Sequence, residues 1–324
     1  MGRISPPCRR IARHRRAERY RSAHVARGKC PNASIVVGTC FPGNREISRT
    51  KRNGRTVELN GIGYHVEQYG EGEPLLLLHG FTGSADTWRP LIPVWQDFRL
   101  IAVDLIGHGR TEAPKSADRY RMEQAAADLT ALLDELGIEK ANVLGYSMGG
   151  RLALSFAIWH PHRIRRLVLE SSSPGLKTEA ERRARQEADE ALAHMIERNG
   201  VRAFVDHWEQ LPLFATQKRL PEPVRAAIRR ERLRHTEQGL ANSLRGMGTG
   251  VQPSWWERLR EIQAPVLLLC GEHDEKFCRM AADMHEQLAN SELICVQEAG
   301  HAIHVEQFGI FAKIVSEFIK KGEV

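Results

Sequence analysis

The chain has 324 residues, of which 42% are hydrophobic, and a formal net charge of +7 at pH 7. The length and the hydrophobic content are sufficient for a substantial core, in one large domain or two smaller ones. The longest clean apolar runs, such as Leu75 to Leu78, have the length of strands, whereas a membrane helix needs roughly 18 apolar residues. The composition therefore predicts a soluble globular protein and excludes a membrane span.

The positive charge is concentrated at one end of the chain. Residues 1–55 contain fifteen Lys and Arg against Glu18 and Glu46, so their net charge is +13, which leaves −6 for residues 56–324. The body is thus mildly acidic and has no nucleic-acid footprint of its own. Residues 1–54 are rich in Arg, Ser, Pro and Gly without sustained periodicity, which predicts a disordered basic extension.

Three functional interpretations of the basic extension remain open beside simple disorder. An Arg-rich, acid-poor leader is typical of an organelle transit peptide, and the same charge would suit an arm that binds nucleic acid. A start codon placed too far upstream would also give such a sequence, and we favour this interpretation. A secretory signal is excluded because no apolar region follows the arginines.

The six cysteines form two groups of three, and neither group has the spacing of a zinc site. An odd number in each group argues against a closed disulfide framework and favours a reducing cytoplasm. The groups are Cys8, Cys30 and Cys40 in the extension and Cys270, Cys278 and Cys295 in the body.

Short apolar runs alternate with helical patterns over most of the body. This alternation predicts a doubly wound, mostly parallel α/β sheet. The first two runs, joined by Asn60-Gly61, have the pattern of a hairpin. The predicted strands are 56–59, 62–69, 75–78, 100–103, 141–144, 167–169, 265–270 and 293–296, with a helix over 125–136 and a last helix whose apolar face holds Phe311, Ile314, Val315 and Phe318.

A charged, strand-free helical stretch interrupts the alternation at residues 175–250. An all-helical insertion in a β/α alternation predicts a lid over the carboxyl edge of the sheet. The two parts of the sheet domain are then 55–174 and 251–324.

A Gly-x-Ser-x-Gly sequence, Gly145 to Gly149, ends one apolar run and passes directly into a helical pattern. This arrangement is typical of a nucleophile elbow, a sharp strand-to-helix turn that exposes the oxygen of Ser147. The flanking glycines are needed because a Cβ at either position would collide with a neighbouring strand or helix.

An activated serine requires a base and a group that orients the base. Asp274 and His301 each follow a late predicted strand, so the chain order is Ser, Asp, His, as in α/β-hydrolases. We therefore predict a catalytic triad of Ser147, Asp274 and His301. Glu272 is the rival acid and His304 the rival base.

The turn His79-Gly80-Phe81 follows an early strand, where this fold places the second donor to an oxyanion. The backbone N–H groups of Phe81 and Met148 are therefore expected to form an oxyanion hole. A simple tight turn is the alternative.

A set of motifs in the body includes the widely shared elbow and, in the lid, residues that are more specific. The motifs are Gly145 to Arg151, Pro174-Gly175-Leu176 with an Arg-rich continuation to Arg185-Gln186, Trp208 with Pro212-Leu213-Phe214, Arg234 before Gly239-Leu240-Ala241, Gln252-Pro253, and Cys270-Gly271-Glu272 with Asp274 and Lys276-Phe277. Over residues 55–324 the chain resembles the α/β-hydrolase superfamily, and within it the 2-succinyl-6-hydroxy-2,4-cyclohexadiene-1-carboxylate synthases of menaquinone biosynthesis.

The resemblance implies a set of substrate-binding residues: Arg151, Arg185 and Arg234, with Tyr146 and Trp208 beside them. The substrate of this family has three carboxylates, and the planar guanidinium of arginine binds a carboxylate with two hydrogen bonds. Without the resemblance, Arg185 and Arg234 would be assigned to a solvated helix face.

The resemblance also implies the reaction, a pyruvate elimination that forms no acyl-enzyme. His301, oriented by Asp274, would make Ser147 basic enough to remove the proton α to the succinyl ketone, or would remove it directly. No metal and no cofactor are implied. The expected partner is a small tricarboxylate, with no nucleic acid for the core, no membrane, and a monomer or small homo-oligomer as the assembly.

Two other classes of function remain open. A hydrolase on the same scaffold, such as a carboxylesterase or a C–C bond hydrolase, would use Ser147 or an activated water as the nucleophile, and the fold alone does not decide between these reactions. A binding protein without catalysis, or a nucleic-acid binder that uses residues 1–55, is the second class. The Ser–Asp–His order argues against a catalytically silent protein.

Overall fold

The computed structural model describes residues 54–321, so the predictions for residues 1–53 lie outside the described part of the chain. One sheet organises the described residues. Its strands are β1 (Gly54–Leu59), β2 (Ile62–Tyr69), β3 (Glu73–Leu78), β4 (Phe98–Val103), β5 (Ala141–Tyr146), β6 (Ile164–Glu170), β7 (Val266–Gly271) and β8 (Ser291–Val296).

The strand order across the sheet is β1-β2-β4-β3-β5-β6-β7-β8. The pairs β1–β2 and β2–β4 are antiparallel, and all the other neighbours are parallel. The predicted hairpin is confirmed: Asn60 and Gly61 have φ values of 49° and 79°, as the tight turn between right-twisted strands requires. The predicted mostly parallel sheet is likewise confirmed.

Helices cover both faces of the sheet and fill the long connection after β6. They are α1 (Met122–Glu135), α2 (Met148–Trp159), α3 (Glu179–Trp208), α4 (Glu222–Arg232), α5 (Glu237–Met247), α6 (Glu275–Gln287), α7 (Ile303–Glu306) and α8 (Phe308–Lys320), with 3₁₀ helices at Ala85–Val94, Ala117–Tyr120, Pro161–Arg163, Pro212–Arg219 and Trp256–Glu261.

The run 75–78 shows how the core is divided by the sheet. Leu76 and Leu78 belong to one apolar cluster, whereas Leu75 and Leu77 belong to another. All four side chains are fully buried. Successive strand residues point to opposite faces, so a continuous apolar run is what a strand covered on both sides requires.

The segment 175–250, which we call the lid, contains helices and no strand, and the structure describes all of it. Helix α3 is interrupted at Gly200, whose φ is +80°. The lid has its own small apolar cluster, in which Ile196 and Phe204 of α3 join Leu240 and Leu244 of α5. Among the helices between residues 54 and 321, none is long and apolar enough to cross a bilayer.

Candidate active site

Ser147 lies in a strained turn between β5 and α2. Its φ is 49° and its ψ is −105°, a conformation that non-glycine residues rarely adopt. The turn is tight because the end of β3 approaches it closely. A Cβ on Gly149 would lie 2.5 Å from the carbonyl oxygen of His79 and would also collide with the backbone of Leu78.

We expect Gly149→Ala to lower the free energy of unfolding by more than about 3 kcal/mol, because the added methyl would meet rigid backbone atoms. Gly309→Ala is the matched control, since a Cβ there meets nothing within 4 Å in the first turn of α8. That change should be neutral or stabilising by up to about 1 kcal/mol. Urea unfolding of the two variants measures both effects, and equal stabilities would contradict the steric account.

The three residues predicted as a triad form one hydrogen-bonded chain. Ser147 Oγ lies 3.0 Å from His301 Nε2, and His301 Nδ1 lies 2.6 Å from Asp274 Oδ2. Asp274 and His301 are buried. Asp274 is also the N-cap of α6, where Oδ1 accepts a hydrogen bond from the N–H of Phe277 at 3.3 Å. The carboxylate is therefore held by the helix while it orients the imidazole.

The rival residues do not belong to this chain. Glu272 is exposed and accepts a hydrogen bond from the N–H of Glu298 at 3.1 Å. His304 is buried and donates from Nδ1 to Glu170, whose two carboxylate oxygens lie at 2.9 and 3.0 Å. Sequence reasoning missed this buried pair, because Glu170 ends an apolar strand without any motif.

The predicted oxyanion donors lie on two adjacent segments, since β3 pairs directly with β5. A Cβ on Gly80 would lie 2.7 Å from the ring of Tyr146, so only glycine lets the turn approach the elbow this closely. Within residues 54–321 no acceptor is recorded for the backbone N–H of Phe81 or of Met148. Both donors are thus available to a ligand.

A cavity of about 1020 Å³ lies between the sheet and the lid. Ser147, His301 and both oxyanion candidates line it, as do all five residues predicted to bind substrate. Asp274 lies behind His301. The cavity wall also contains a set of cationic side chains: Arg89, Arg151, Arg185, Arg230, Arg232, Arg234 and Lys276.

Arg151 is the most deeply placed of the predicted arginines. Its Nη1 donates to the carbonyl oxygen of Met247 and to Gln252 Oε1, both at 2.7 Å. Burial and, to a smaller extent, the neighbouring charge of Arg185 lower the pKa of Arg151 to about 9, against the opposing effect of Asp189. A partly desolvated cation with mainly neutral partners and a like charge nearby is a favourable place for an anion.

The other predicted binding residues have different environments. Arg185 Nε donates to Asp189 at 2.8 Å. Arg234 is half exposed and pairs with Asp86 at 2.5 Å. The ring of Tyr146 lies 5.4 Å from that of His301. Trp208 packs on Phe81, with ring centroids 5.4 Å apart, and its buried indole N–H has no hydrogen-bond partner among the described residues.

Glu231 and Arg232 are among the cavity residues that sequence reasoning missed. Burial raises the pKa of Glu231, whose carboxylate accepts hydrogen bonds from Ser84 Oγ at 2.6 Å and Thr87 Oγ1 at 2.9 Å. Arg232 is buried with its guanidinium 5.0 Å from the centre of the Phe214 ring. Both lie in a repetitive Arg/Glu stretch, where the sequence offers no sign of which side chains face inward.

Two buried histidines accept backbone hydrogen bonds, one within the sheet domain and one between the lid and the sheet domain. His79 Nε2 accepts the N–H of Leu105 at 2.9 Å, and His235 Nδ1 accepts the N–H of Gly109 at 3.1 Å. Burial lowers the pKa of His79 to about 3 and that of His235 to about 4. Both rings are therefore neutral acceptors in the folded protein at neutral pH.

These shifts predict an acid-sensitive fold. Below about pH 6.5 the unfolded histidines bind protons that the folded ones do not bind until about pH 3–4, so the free energy of unfolding falls as the pH falls through this range. Each histidine should contribute a slope of up to about 1.4 kcal/mol per pH unit. Urea unfolding between pH 7 and 4.5 measures the slope. In His235→Asn the slope should be smaller by the contribution of one histidine. An unchanged slope in that variant would contradict the assignment of a lowered pKa to His235.

The family of the chain follows from this fold and from direct comparison. A family model of the alpha/beta hydrolase fold matches residues 73–308. The chain belongs to this family, as its elbow and strand order predict.

More specific similarities lie within the family. The chain is 50% identical over 262 residues to a putative 2-succinyl-6-hydroxy-2,4-cyclohexadiene-1-carboxylate synthase of Bacillus subtilis, a match that covers 80% of this chain and 96% of that protein. It is 32% identical to the synthase of the same name from Pectobacterium atrosepticum, over 76% of this chain and 93% of that one. The resemblance seen in the sequence motifs is thereby confirmed.

Solved structures show the same likeness. The structure of MenH from S. aureus matches with a TM-score of 0.77 and 36% identity, over 81% of this chain and 99% of that one. A thermophilic esterase from Thermogutta terrifontis matches with a TM-score of 0.74 and 26% identity, over 84% and 98% of the two chains. The scaffold is thus shared by proteins named for different reactions.

Proposed function

We propose that the protein is a lyase of menaquinone biosynthesis. It eliminates pyruvate from 2-succinyl-5-enolpyruvyl-6-hydroxy-3-cyclohexene-1-carboxylate and gives 2-succinyl-6-hydroxy-2,4-cyclohexadiene-1-carboxylate. The observation that supports this most directly is that Arg151 lies beside Arg185 in the cavity that contains Ser147. The names of the relatives from Bacillus subtilis and Pectobacterium atrosepticum agree with it.

The proposed first step is a proton transfer. His301 Nε2, 3.0 Å from Ser147 Oγ, accepts the hydroxyl proton, and Asp274 stabilises the resulting imidazolium through Nδ1–H. Ser147 then removes the proton α to the succinyl ketone. The enolate oxygen is stabilised by the N–H groups of Phe81 and Met148, which otherwise have no recorded partner among the described residues.

The proposed second step breaks a C–O bond. The enolate electron pair forms a double bond between C2 and C3 of the ring, and the C3=C4 electron pair shifts to C4=C5. The bond from C5 to the enolpyruvyl oxygen then breaks, and this oxygen leaves as the enolate of pyruvate. The proton first taken from the α carbon passes from Ser147 and His301 to the departing group, so no net proton is consumed. All these steps use side chains and backbone N–H groups of this chain.

The cationic wall accounts for substrate recognition in this proposal. Arg151 and Arg185 repel one another, and a carboxylate bound between them removes that repulsion while it forms charge-assisted hydrogen bonds. Arg234, at the more exposed end of the cavity, is suited to a second carboxylate. A substrate with three carboxylates would therefore be held at several points around the reacting carbon.

The proposal is tested by incubating the purified protein with the enolpyruvyl precursor and measuring pyruvate by a coupled dehydrogenase. Parental protein should release one pyruvate for each precursor consumed, and Ser147→Ala should nearly abolish release. Absence of pyruvate from folded parental protein would overturn the proposal.

A serine hydrolase is the second candidate, and the similarity to the Thermogutta terrifontis esterase favours keeping it. The two reactions differ in covalent chemistry, because a hydrolase forms an acyl-enzyme on Ser147. Enzyme quenched by acid during turnover should show an unmodified mass for the peptide containing Ser147 if elimination is correct. A substrate-sized adduct on that peptide would support the hydrolase.

A further inference from the structure

We propose that Cys270, Cys278 and Cys295 form a binding site for a thiophilic divalent metal ion of the Zn²⁺ type. Their spacing along the chain gives no sign of such a site, and the elimination does not use it. The three residues do not line the cavity described above. The site is therefore separate from the proposed chemistry.

The fold brings the three sulfur atoms together from three different elements. Cys270 of β7 and Cys295 of β8 are register partners in a parallel pair, so their side chains lie side by side. Cys278 is in the first turn of α6, which packs against both strands. All three Sγ atoms lie within 4.8 Å of one another, and those of Cys278 and Cys295 are 3.8 Å apart.

This separation matches the geometry of zinc thiolates. In a tetrahedral site with Zn–S bonds of about 2.3 Å, neighbouring sulfurs are about 3.8 Å apart. The three cysteines are free thiols in this structure, and soft thiolate ligands select ions such as Zn²⁺ over Mg²⁺ or Ca²⁺. Small side-chain rotations would bring the third sulfur to the same distance.

The burial of the three residues gives the site an inner and an outer side. Cys270 is buried, Cys278 is partly buried and Cys295 is exposed. An ion can therefore reach the sulfurs from solvent beside Cys295, and a water molecule can occupy the fourth position of the tetrahedron.

The position of the site indicates what an ion would do. β7 leads into Asp274, β8 leads into His301, and β8 is the edge strand of the sheet. An ion held by the three thiolates would join both strands to α6, and so fix the two loops that deliver the acid and the base. The site would thus stabilise the arrangement of β7, β8 and α6 beside the triad.

The test uses the reduced, metal-free, full-length chain and Cd²⁺ as the probe, because cadmium thiolates have a charge-transfer band in the ultraviolet. The band should saturate at one Cd²⁺ per chain and should disappear when Zn²⁺ is added in excess. The triple variant Cys8→Ser/Cys30→Ser/Cys40→Ser is the matched control and should retain the same stoichiometry. No band, or a band lost in this control, would overturn the proposal.

Cys295→Ser is the decisive variant because the exposed side chain can be changed without disturbing the core. It should weaken Cd²⁺ binding at least tenfold while melting within a few degrees of the parent. As a second readout, Zn²⁺ should slow hydrogen exchange of residues 291–296 in the parent and not in this variant. Equal Cd²⁺ affinity in parent and variant, or equal exchange with and without Zn²⁺, would show that the three thiols bind no ion together.

Discussion

Replacing Asp274 by Asn is expected to lower kcat for pyruvate release by about 10³- to 10⁴-fold with little change in stability. The carboxylate accepts a hydrogen bond from His301 Nδ1 at 2.6 Å and so leaves Nε2 unprotonated toward Ser147. An amide in its place can donate to Nδ1, which favours the wrong tautomer, and it no longer stabilises the imidazolium. Steady-state kinetics with the coupled pyruvate assay measures the loss.

Glu272→Gln is the matched control for this variant. Glu272 lies two residues earlier in the same loop, but it is exposed and bonds to the N–H of Glu298 rather than to a histidine. Its kcat should remain within about twofold of the parent, as is usual for a surface change. If kcat fell strongly in Glu272→Gln and only slightly in Asp274→Asn, Glu272 rather than Asp274 would be the acid that orients His301.

Replacing Arg151 by Ala is expected to lower kcat/KM by about 30- to 900-fold, which corresponds to about 2–4 kcal/mol for a lost contact to a desolvated carboxylate. The same guanidinium bonds to Met247 and Gln252, so the alanine variant also loses two contacts to the protein. Arg151→Lys separates the two effects, because it retains the charge and loses the planar pair of donors. It should retain more activity than Arg151→Ala and still fall well below the parent.

Arg183→Ala is the control for a general loss of positive charge in the lid. Arg183 is exposed and does not line the cavity, so kcat/KM of the Arg183→Ala variant should differ from that of the parent by less than about twofold. If Arg151→Ala and Arg183→Ala were equally active on the tricarboxylate, the assignment of Arg151 to substrate binding would be wrong. Thermal melts of each variant show whether a loss of activity reflects unfolding.

The elements that could be predicted from the sequence are those with a local physical cause. The Asn60-Gly61 turn follows from the left-handed backbone that both residues tolerate, and the strand at 75–78 follows from an apolar run too short for a helix. The elbow at Ser147 follows from the small residues that its tight turn needs. Helix α6 was not predicted, since charged residues such as Glu275, Lys276 and Arg279 alternate with its apolar ones.

The sequence by itself thus determined the fold class and which residues that follow strands meet at the site. Parallel strands bring their carboxyl ends to one edge of the sheet whatever the details of packing. Only the tertiary structure decided which arginines of the lid line the cavity, that Glu170 pairs with His304, and that Cys270, Cys278 and Cys295 lie together. Those facts depend on how helices rotate and on contacts between residues far apart in the chain. A periodic run of Arg and Glu fits several helix orientations equally well, and only packing selects one of them.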